Sequence, residues 1–318
     1  MIEHQDVLES TKSWLDKVEV GEGRHFRNLT VFPLLVGEEA EGTDAVKPRY
    51  ELLSDAIEAG AASVEEVDEA GSVPFLAVAN KAAIPVLVPE GEILIGAKQN
   101  RTVNLTVLVA AGATFKLPVS CVEQGRWSYA SRQFKSEAFA HPKLRNLKMK
   151  AAQESRAMGC EPQSDQGAVW EEVEDHLYAM QAPASPTRSW TDGYEAAKGR
   201  LTGYREAIGL PEGACGFLAA SGGQVVGLDL FDRPETLEKL WRRLADAYFV
   251  QAVRDSEPVA ATQGPVAKAF LAEVAGRLTP AAEQPDLGFE LELAGEELAG
   301  AALWHDGAVC HLAAFGAA

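Results

Sequence analysis

No stretch of this sequence approaches the ~18 consecutive apolar residues of a membrane span. Its opening, MIEHQDVLESTKSWLDKVEV, has neither the basic start nor the apolar run of a signal peptide. A cytoplasmic location without a membrane partner is therefore expected. Cysteine is scarce: Cys121, Cys160, Cys215 and Cys310 lie far apart with no C-x-x-C pair. That spacing fits isolated thiols in a reducing compartment better than a disulfide or zinc framework. The common catalytic signatures are also missing, with no G-x-x-x-x-G-K-[ST], no G-x-G-x-x-G after a strand, no G-x-S-x-G and no H-E-x-x-H. The six histidines are scattered, and the closest pair, His305 and His311, flanks a hairpin turn beside Asp306 and Cys310 without the spacing of a known ligand set. No metal and no cofactor are assigned.

Positive charge is short overall. Twenty-nine Lys and Arg stand against 47 Asp and Glu, a formal net charge of −18, which argues against non-specific binding to nucleic acid or anionic lipid. The distribution differs from the total. Between Lys98 and Arg156 lie Lys98, Arg101, Lys116, Arg126, Arg132, Lys135, Lys143, Arg145, Lys148, Lys150 and Arg156, opposed only by Glu123, Glu137 and Glu154. One segment of an acidic chain is thus net positive. With 318 residues, 47% hydrophobic and 24% charged, the chain can build one large core or two ordinary ones.

The patterning predicts an α+β fold, with a β-rich sandwich or roll in the N-terminal half and helices and β-hairpins in the C-terminal half. Three segments are expected: 1–130, β-rich with N-terminal helices; 131–255, helical with a hairpin; and 256–318, a C-terminal helix and hairpin extension. An initial helix carries Val7, Leu8, Leu15 and Val18 on one face, and the strand NLTVFPLLV follows. A short helix is expected from Pro48 to Gly60. The runs VPFLAVAN, IPVLVPEGEILIG, TVNLTVLVAAG and FKLPVSCVEQGRW then read as strands broken by proline and glycine. Helical spacing returns in HPKLRNLKMKAAQESRAM, QGAVWEEVEDHLYAM, DGYEAAKGRLTGYREAIG, PETLEKLWRRLADAYFVQAVRD and PVAKAFLAEVAGRL. Two hairpins turning at Gly222-Gly223 and Asp306-Gly307 can be superposed in register, which fits either one common sheet or merely the few residue types that hairpin turns admit.

Polar density in the β-rich half marks the candidate site. PEGEILIGAKQNRTVN places Glu90, Glu92, Lys98, Gln99, Asn100 and Arg101 around strand ends, and CVEQGRWSY adds Glu123, Gln124, Arg126 and Trp127. Arg101 and Arg126 offer the planar fork that matches phosphate or carboxylate, Lys98 a point charge, Gln99 an amide, and Trp127 a face for a base or ribose. Glu123 and Glu92 are the candidate acid or base groups. The alternative is a structural ion network in which these carboxylates pair with Arg101 or Arg126 and Trp127 is core. Asp229 in VVGLDLF is either a further ligand group or an outward residue exposed by strand alternation. Trp170 and Trp241 read as core anchors of their helices. Lys143, Lys148 and Lys150 are expected on the exposed face of their helix, with Leu144 and Leu147 inward, where they would form a basic surface for an acidic partner.

At GEILIGAKQNRTVN, CVEQGRWSY, the VWEEVEDHL helix and GQVVGLDLF the sequence resembles a bacterial domain family named for its association with ADP-ribosylglycohydrolase and rhodanese-phosphatase proteins. AKQNR and EQGRW are the most specific parts. The resemblance runs from about Phe26 to Val250 and leaves the tail after Arg254 outside, as a lineage-specific addition. It implies a place in NAD and ADP-ribose metabolism, and hence a phosphorylated small molecule such as ADP-ribose as ligand, whose diphosphate suits Lys98, Arg101 and Arg126. Binder and enzyme both remain open, as does an interaction module whose basic segment docks an acidic partner, nucleic acid being the less expected one. Oligomeric state is not assigned.

Overall fold

The computed structural model describes residues 4–37, 49–69, 71–255, 257–281, 285–293, 295 and 298–316. The chain divides into two compact units, Met1–Lys47 with Arg200–Ala318, and Pro48–Gly199. These are not the segments 1–130, 131–255 and 256–318 expected from the sequence, because the first strands pair with strands far along the chain and no local periodicity reveals such pairing. The first unit opens with α1 (His4–Leu15), β1 (Val18–Val20), β2 (Arg24–Phe26) and β3 (Leu29–Val36). Helix α1 buries Val7, Leu8, Thr11 and Leu15 along one stripe, as the spacing requires.

The second unit holds β4 (Glu51–Leu52), α2 (Leu53–Glu58), β5 (Ala62–Glu66), β6 (Phe75–Asn80), β7 (Val86–Val88), β8 (Glu92–Gly96), β9 (Arg101–Val103), β10 (Val107–Val109), β11 (Thr114–Cys121) and β12 (Phe134–Phe139). Then come α3 (Pro142–Ala157), α4 (Gln166–Met180) and α5 (Trp190–Ala207), inside which the division falls. Pro48, the expected start of the second helix, lies outside the described residues, and the observed helix begins at Leu53. Six strands form a sheet in the order β12-β8-β9-β11-β6-β5, and three more form the sheet β10-β7-β4. The outer strands β12 and β5 also approach each other, and Gln133 beside β12 donates to Glu65 of β5 at 3.2 Å, so the larger sheet curls round on itself as a roll. Its interior is packed with Val64, Leu76, Val78, Leu94, Val103, Leu117, Val119 and Phe134. On its outside, Ile93, Val122 and Ala138 pack with Leu144 of α3, Val169 and Val173 of α4, and Trp190.

The first unit is completed by β13 (Gly216–Ser221), β14 (Gln224–Phe231), α6 (Pro234–Asp255), α7 (Gly264–Arg277), β15 (Thr279–Pro280), β16 (Phe289–Leu293), β17 (Leu298–His305) and β18 (Ala308–Gly316). A nine-stranded sheet runs β1-β3-β13-β14-β18-β17-β16-β15, with β2 also on β3. The two glycine-turn hairpins join through β14 and β18, with Leu230 opposite Leu312. Their turns use positive φ at Gly222 and Gly223 and at Asp306 and Gly307, the conformation that two-residue hairpin loops demand. Leu228 and Leu230 enter the core shared with α1 and α7, while Asp229 faces the other way, toward Tyr248 of α6. Among the described residues no helix is long and apolar enough to cross a membrane.

Candidate functional site

Antiparallel register decides which residues meet at one end of the six-stranded roll. Strand β5 ends at Glu66, β8 ends at Gly96, β9 starts at Arg101, and β11 ends at Cys121 opposite Arg101. The turn between β8 and β9 and the loop between β11 and β12 therefore emerge together, and they are stitched to each other. Asn100 N donates to Glu123 Oε2 at 2.9 Å, Ala130 N donates to Ala97 O at 2.9 Å, and Lys98 N reaches Glu66 Oε1 at 3.2 Å. The two polar runs AKQNR and EQGRW thus share one location. The turn itself is strained. Gly96 has φ +138°, where a Cβ would lie 2.7 Å from the Gln133 carbonyl, and Ala97 is held in the left-handed region at φ 37°.

Glu123 and Arg126 are partners. Arg126 donates from Nε to Glu123 Oε1 at 2.9 Å and from Nη2 to Oε2 at 2.6 Å, while Nη1 reaches Ala97 O and Ser128 O at 2.5 and 2.9 Å. Nη2 also lies 3.2 Å from Gly96 O and from Asn100 Oδ1. Every edge of this guanidinium is occupied, and it serves as the clamp between the two loops.

Arg101 is different. By strand alternation its side chain shares the inner face with Val103 and Val119, so it lies at the end of the roll's interior with no exposed surface at all. Nη1 donates to Gln99 Oε1 at 2.9 Å and to Cys121 Sγ at 3.2 Å, and both anchors are uncharged. The Cys121 thiol in turn donates to Gln99 Oε1 at 2.6 Å. Burial pushes that thiol up from its ordinary 9.0, against the lowering pull of Arg101. Nε and Nη2 of Arg101 have no hydrogen-bond partner. That edge is the fork that grips an oxyanion side-on. Four other arginines show it filled: Arg126 by Glu123, Arg145 by Glu90, Arg205 by Asp246 and Arg233 by Asp232. Over the guanidinium lies the Trp127 ring, 5.6 Å from Cζ and 47% exposed, so Trp127 is not core. Lys98 Nζ sits 5.5 Å from the same ring and 5.3 Å from that of Tyr129, and it donates to the Glu69 carbonyl.

The remaining candidates lie elsewhere. Glu92 opens β8, at the end away from the Gly96 turn, and its carboxylate accepts from Ser136. Asp229 belongs to the first unit. It is not solvent-exposed as alternation suggested, because α6 covers that face of the sheet. The carboxylate is fully buried between Tyr248 OH at 2.7 Å and His311 Nε2 at 3.0 Å. The expected basic face of α3 also fails. Lys148 is fully buried, donating to Thr102 Oγ1 at 2.9 Å and Val103 O at 2.6 Å; Lys143 pairs with Glu172 at 2.7 Å; and Arg145 lies buried on Glu90. Much of the basic segment is spent inside the unit, which removes the argument for a docking surface. Leu144 is buried and Leu147 packs beside it, as spaced. The Trp170 indole lies at the Cys121 thiol, and Gln166 brackets that residue's backbone, its amide oxygen on Cys121 N and its amide nitrogen on Cys121 O, both at 2.8 Å. Cys121, Gln166 and Trp170 carried no signal as site residues, because only cross-strand pairing brings Cys121 to Arg101 and only the packing of α4 brings Gln166 and Trp170 to Cys121. Among the described residues no group of three or more His, Cys, Asp or Glu is placed to hold a metal ion.

A family model described as the ARG and Rhodanese-Phosphatase-superfamily-associated Protein domain matches residues 17–315. The match runs through both units and takes in the tail after Arg254, so the C-terminal helix and hairpin are part of the domain and not a lineage-specific addition. No curated protein and no solved structure matches the chain significantly.

Proposed function

We propose, for a chain that belongs to the ARG and Rhodanese-Phosphatase-superfamily-associated Protein domain family, that it binds a phosphorylated nucleotide-sugar such as ADP-ribose at the Arg101 end of the roll. The family is associated with ADP-ribosylglycohydrolase and rhodanese-phosphatase proteins, which supplies the chemical context. One observation carries the reading: a fully buried guanidinium whose Nε and Nη2 edge is left without an acceptor. An unmatched buried cation is costly, and a fold that retains it does so where an anion is to be received. Trp127, half-exposed over that cation, provides the face on which a base or ribose stacks, and its ring is the part displaced when an oxyanion reaches the fork. Arg126 and Glu123 hold the loops and do not touch the ligand. With Glu123 committed to Arg126 and Glu92 at the other end of its strand, neither of the two expected acid–base groups is poised at the fork, and binding is favoured over hydrolysis.

The test is thermal unfolding with and without ADP-ribose. Ligand at a hundredfold its Kd adds about 2.7 kcal/mol, several degrees for a chain of this size. Arg101→Met is expected to raise the melting temperature of the unliganded protein, since it removes an uncompensated buried charge, and to abolish the ligand shift. Lys116→Ala, which removes an exposed charge from the same unit, leaves the shift intact. Lack of response to ADP-ribose, or an Arg101→Met variant that still responds, sinks the proposal.

A further inference from the structure

We propose that the group received by Arg101 is a singly charged phosphate of the diester kind, and that a terminal phosphomonoester, with its second charge, is discriminated against. This rests on the ligand reading above and goes beyond it by fixing the charge state that the site accepts. Positive and negative side chains are unequal in number at the end of the roll. Three cations lie there, Arg101, Arg126 and Lys98. Two carboxylates oppose them: Glu123, gripped by Arg126, and Glu66, whose Oε1 accepts from Lys98 N while its Oε2 is buried without a donor. One positive charge is left over. Arg126 has its own counter-ion and Lys98 Nζ is bonded to the Glu69 carbonyl, so the hydrogen-bonding edge open to an anion is that of Arg101.

The surrounding groups do not alter that balance. Gln99, Asn100, Gln166 and Trp170 are uncharged. The Cys121 thiol stays protonated through neutral pH, because burial raises it. Asp68 accepts from Gly71 N, and the side chains of Glu65, Asp68 and Glu69 are exposed and screened by water, as are those of Tyr129 and Arg132. Asp192 sits in the first turn of α5, accepting from Ser189 N, where the helix terminus is its counter-charge. A singly charged phosphate therefore leaves the buried cluster neutral. A dianion leaves one negative charge in low dielectric beside the orphan oxygen of Glu66 and the two aromatic rings, with a single fork edge to receive it. The two phosphates of ADP-ribose are both of the diester kind, each with one charge, and fit this balance one at a time.

The experiment uses a matched pair, ADP and its β-methyl ester, alongside ADP-ribose, with affinities measured by calorimetry at pH 5.5 and pH 8. A phosphomonoester loses its second proton near pH 6, so ADP carries the extra charge only at the higher pH, whereas the ester never does. The ester is expected to bind about tenfold more tightly than ADP at pH 8, with the difference collapsing at pH 5.5. Glu66→Gln keeps an acceptor for Lys98 N and adds one unit of positive charge, so it is expected to erase the preference by strengthening ADP at pH 8. ADP binding as tightly as its ester at pH 8, a preference that persists at pH 5.5, or an unchanged preference in Glu66→Gln would overturn the inference. Binding of ADP-ribose without either ADP or its ester would also overturn it, because recognition would then not lie in the phosphate. If ADP-ribose itself fails to bind, the site reading falls, a result distinct from all of these.

Discussion

Lys148 offers a direct measure of how the basic segment is used. Its amine is fully buried, and burial is the main cause that lowers it from 10.5 to about 7, against the raising effect of Glu90 and with a smaller lowering effect from Arg145. The unfolded chain holds this proton up to about 10.5, the folded one only to about 7, so between those values the unfolded state binds more protons and stability rises with pH. From pH 7 to pH 9 the gain is about 2 kcal/mol. Above pH 9 the trend is opposed by Cys121 and Tyr204, both raised chiefly by burial, because the unfolded chain then loses protons that the fold retains. The perturbation is Lys148→Met, which removes the titration. It also leaves Thr102 Oγ1 without a donor and takes one of two donors from Val103 O, which keeps Gly91 N at 2.9 Å, a cost of about 1 to 3 kcal/mol that is constant with pH. The assay is urea denaturation at half-unit steps from pH 7 to 9, comparing slopes rather than absolute stabilities. The parent curve is expected to climb and the variant curve to stay flatter by most of that 2 kcal/mol. Parallel curves would show instead that Lys148 keeps its charge in the fold.

Three further outcomes follow from the geometry. Arg126→Ala strands the buried Glu123 carboxylate and is expected to cost about 3 to 5 kcal/mol by denaturant unfolding, with Glu123→Gln on the same chain recovering part of it; a cost below about 1 kcal/mol would mean the clamp is not structural. Gly96→Ala forces a Cβ to within 2.7 Å of the Gln133 carbonyl at positive φ and is expected to destabilise by about 2 kcal/mol or more, whereas Gly112→Ala, at φ +69° with open space around it, costs less. Asp229→Ala removes the buried carboxylate that Tyr248 OH and His311 Nε2 share; it should lower stability by about 2 to 4 kcal/mol while leaving any ADP-ribose shift in place, and loss of that shift would place Asp229 in the binding machinery.

The helices were legible because their faces repeat locally. QGAVWEEVEDHLYAM and PETLEKLWRRLADAYFVQAVRD match α4 and α6 residue for residue, and both hairpin turns fall where Gly222-Gly223 and Asp306-Gly307 put them. Strand β12 was not legible. Phe134, Lys135, Ser136 and Glu137 alternate in burial, but the segment follows a polar loop and carries two charges, and only pairing with β8 reveals it. The division into units was equally hidden, since the residues of the whole second unit separate β3 from its neighbour β13 along the chain. In α3 the stripe of Leu144 and Leu147 was real but too narrow. Arg145, Lys148, Met149, Ala152 and Arg156 also lie buried, because Glu90 in the turn before β8 and Thr102 on β9 offer acceptors to Arg145 and Lys148.

The candidate site shows the same limit from the other side. Arg101 and Arg126 are equivalent in composition, and the sequence offered each as a ligand group or as half of an ion pair. The difference between them is a matter of reach. Glu123 stands three residues before Arg126 in a loop, close enough to close a fork on it, and Asn100 N fixes the carboxylate in that position. Arg101 sits on a strand that points it along the inner face of the roll, where its cross-strand neighbour is a thiol and its nearest acceptor an amide. A net-acidic chain thus satisfies Arg126, Arg145 and Lys148 from within, while the Nε and Nη2 edge of Arg101 has no acceptor among the described residues. Excess charge in the sequence pointed to the region. Only the hydrogen-bond partners of each cation separate Arg126, which ties the two loops together, from Arg101, whose outer fork has no acceptor among the described residues.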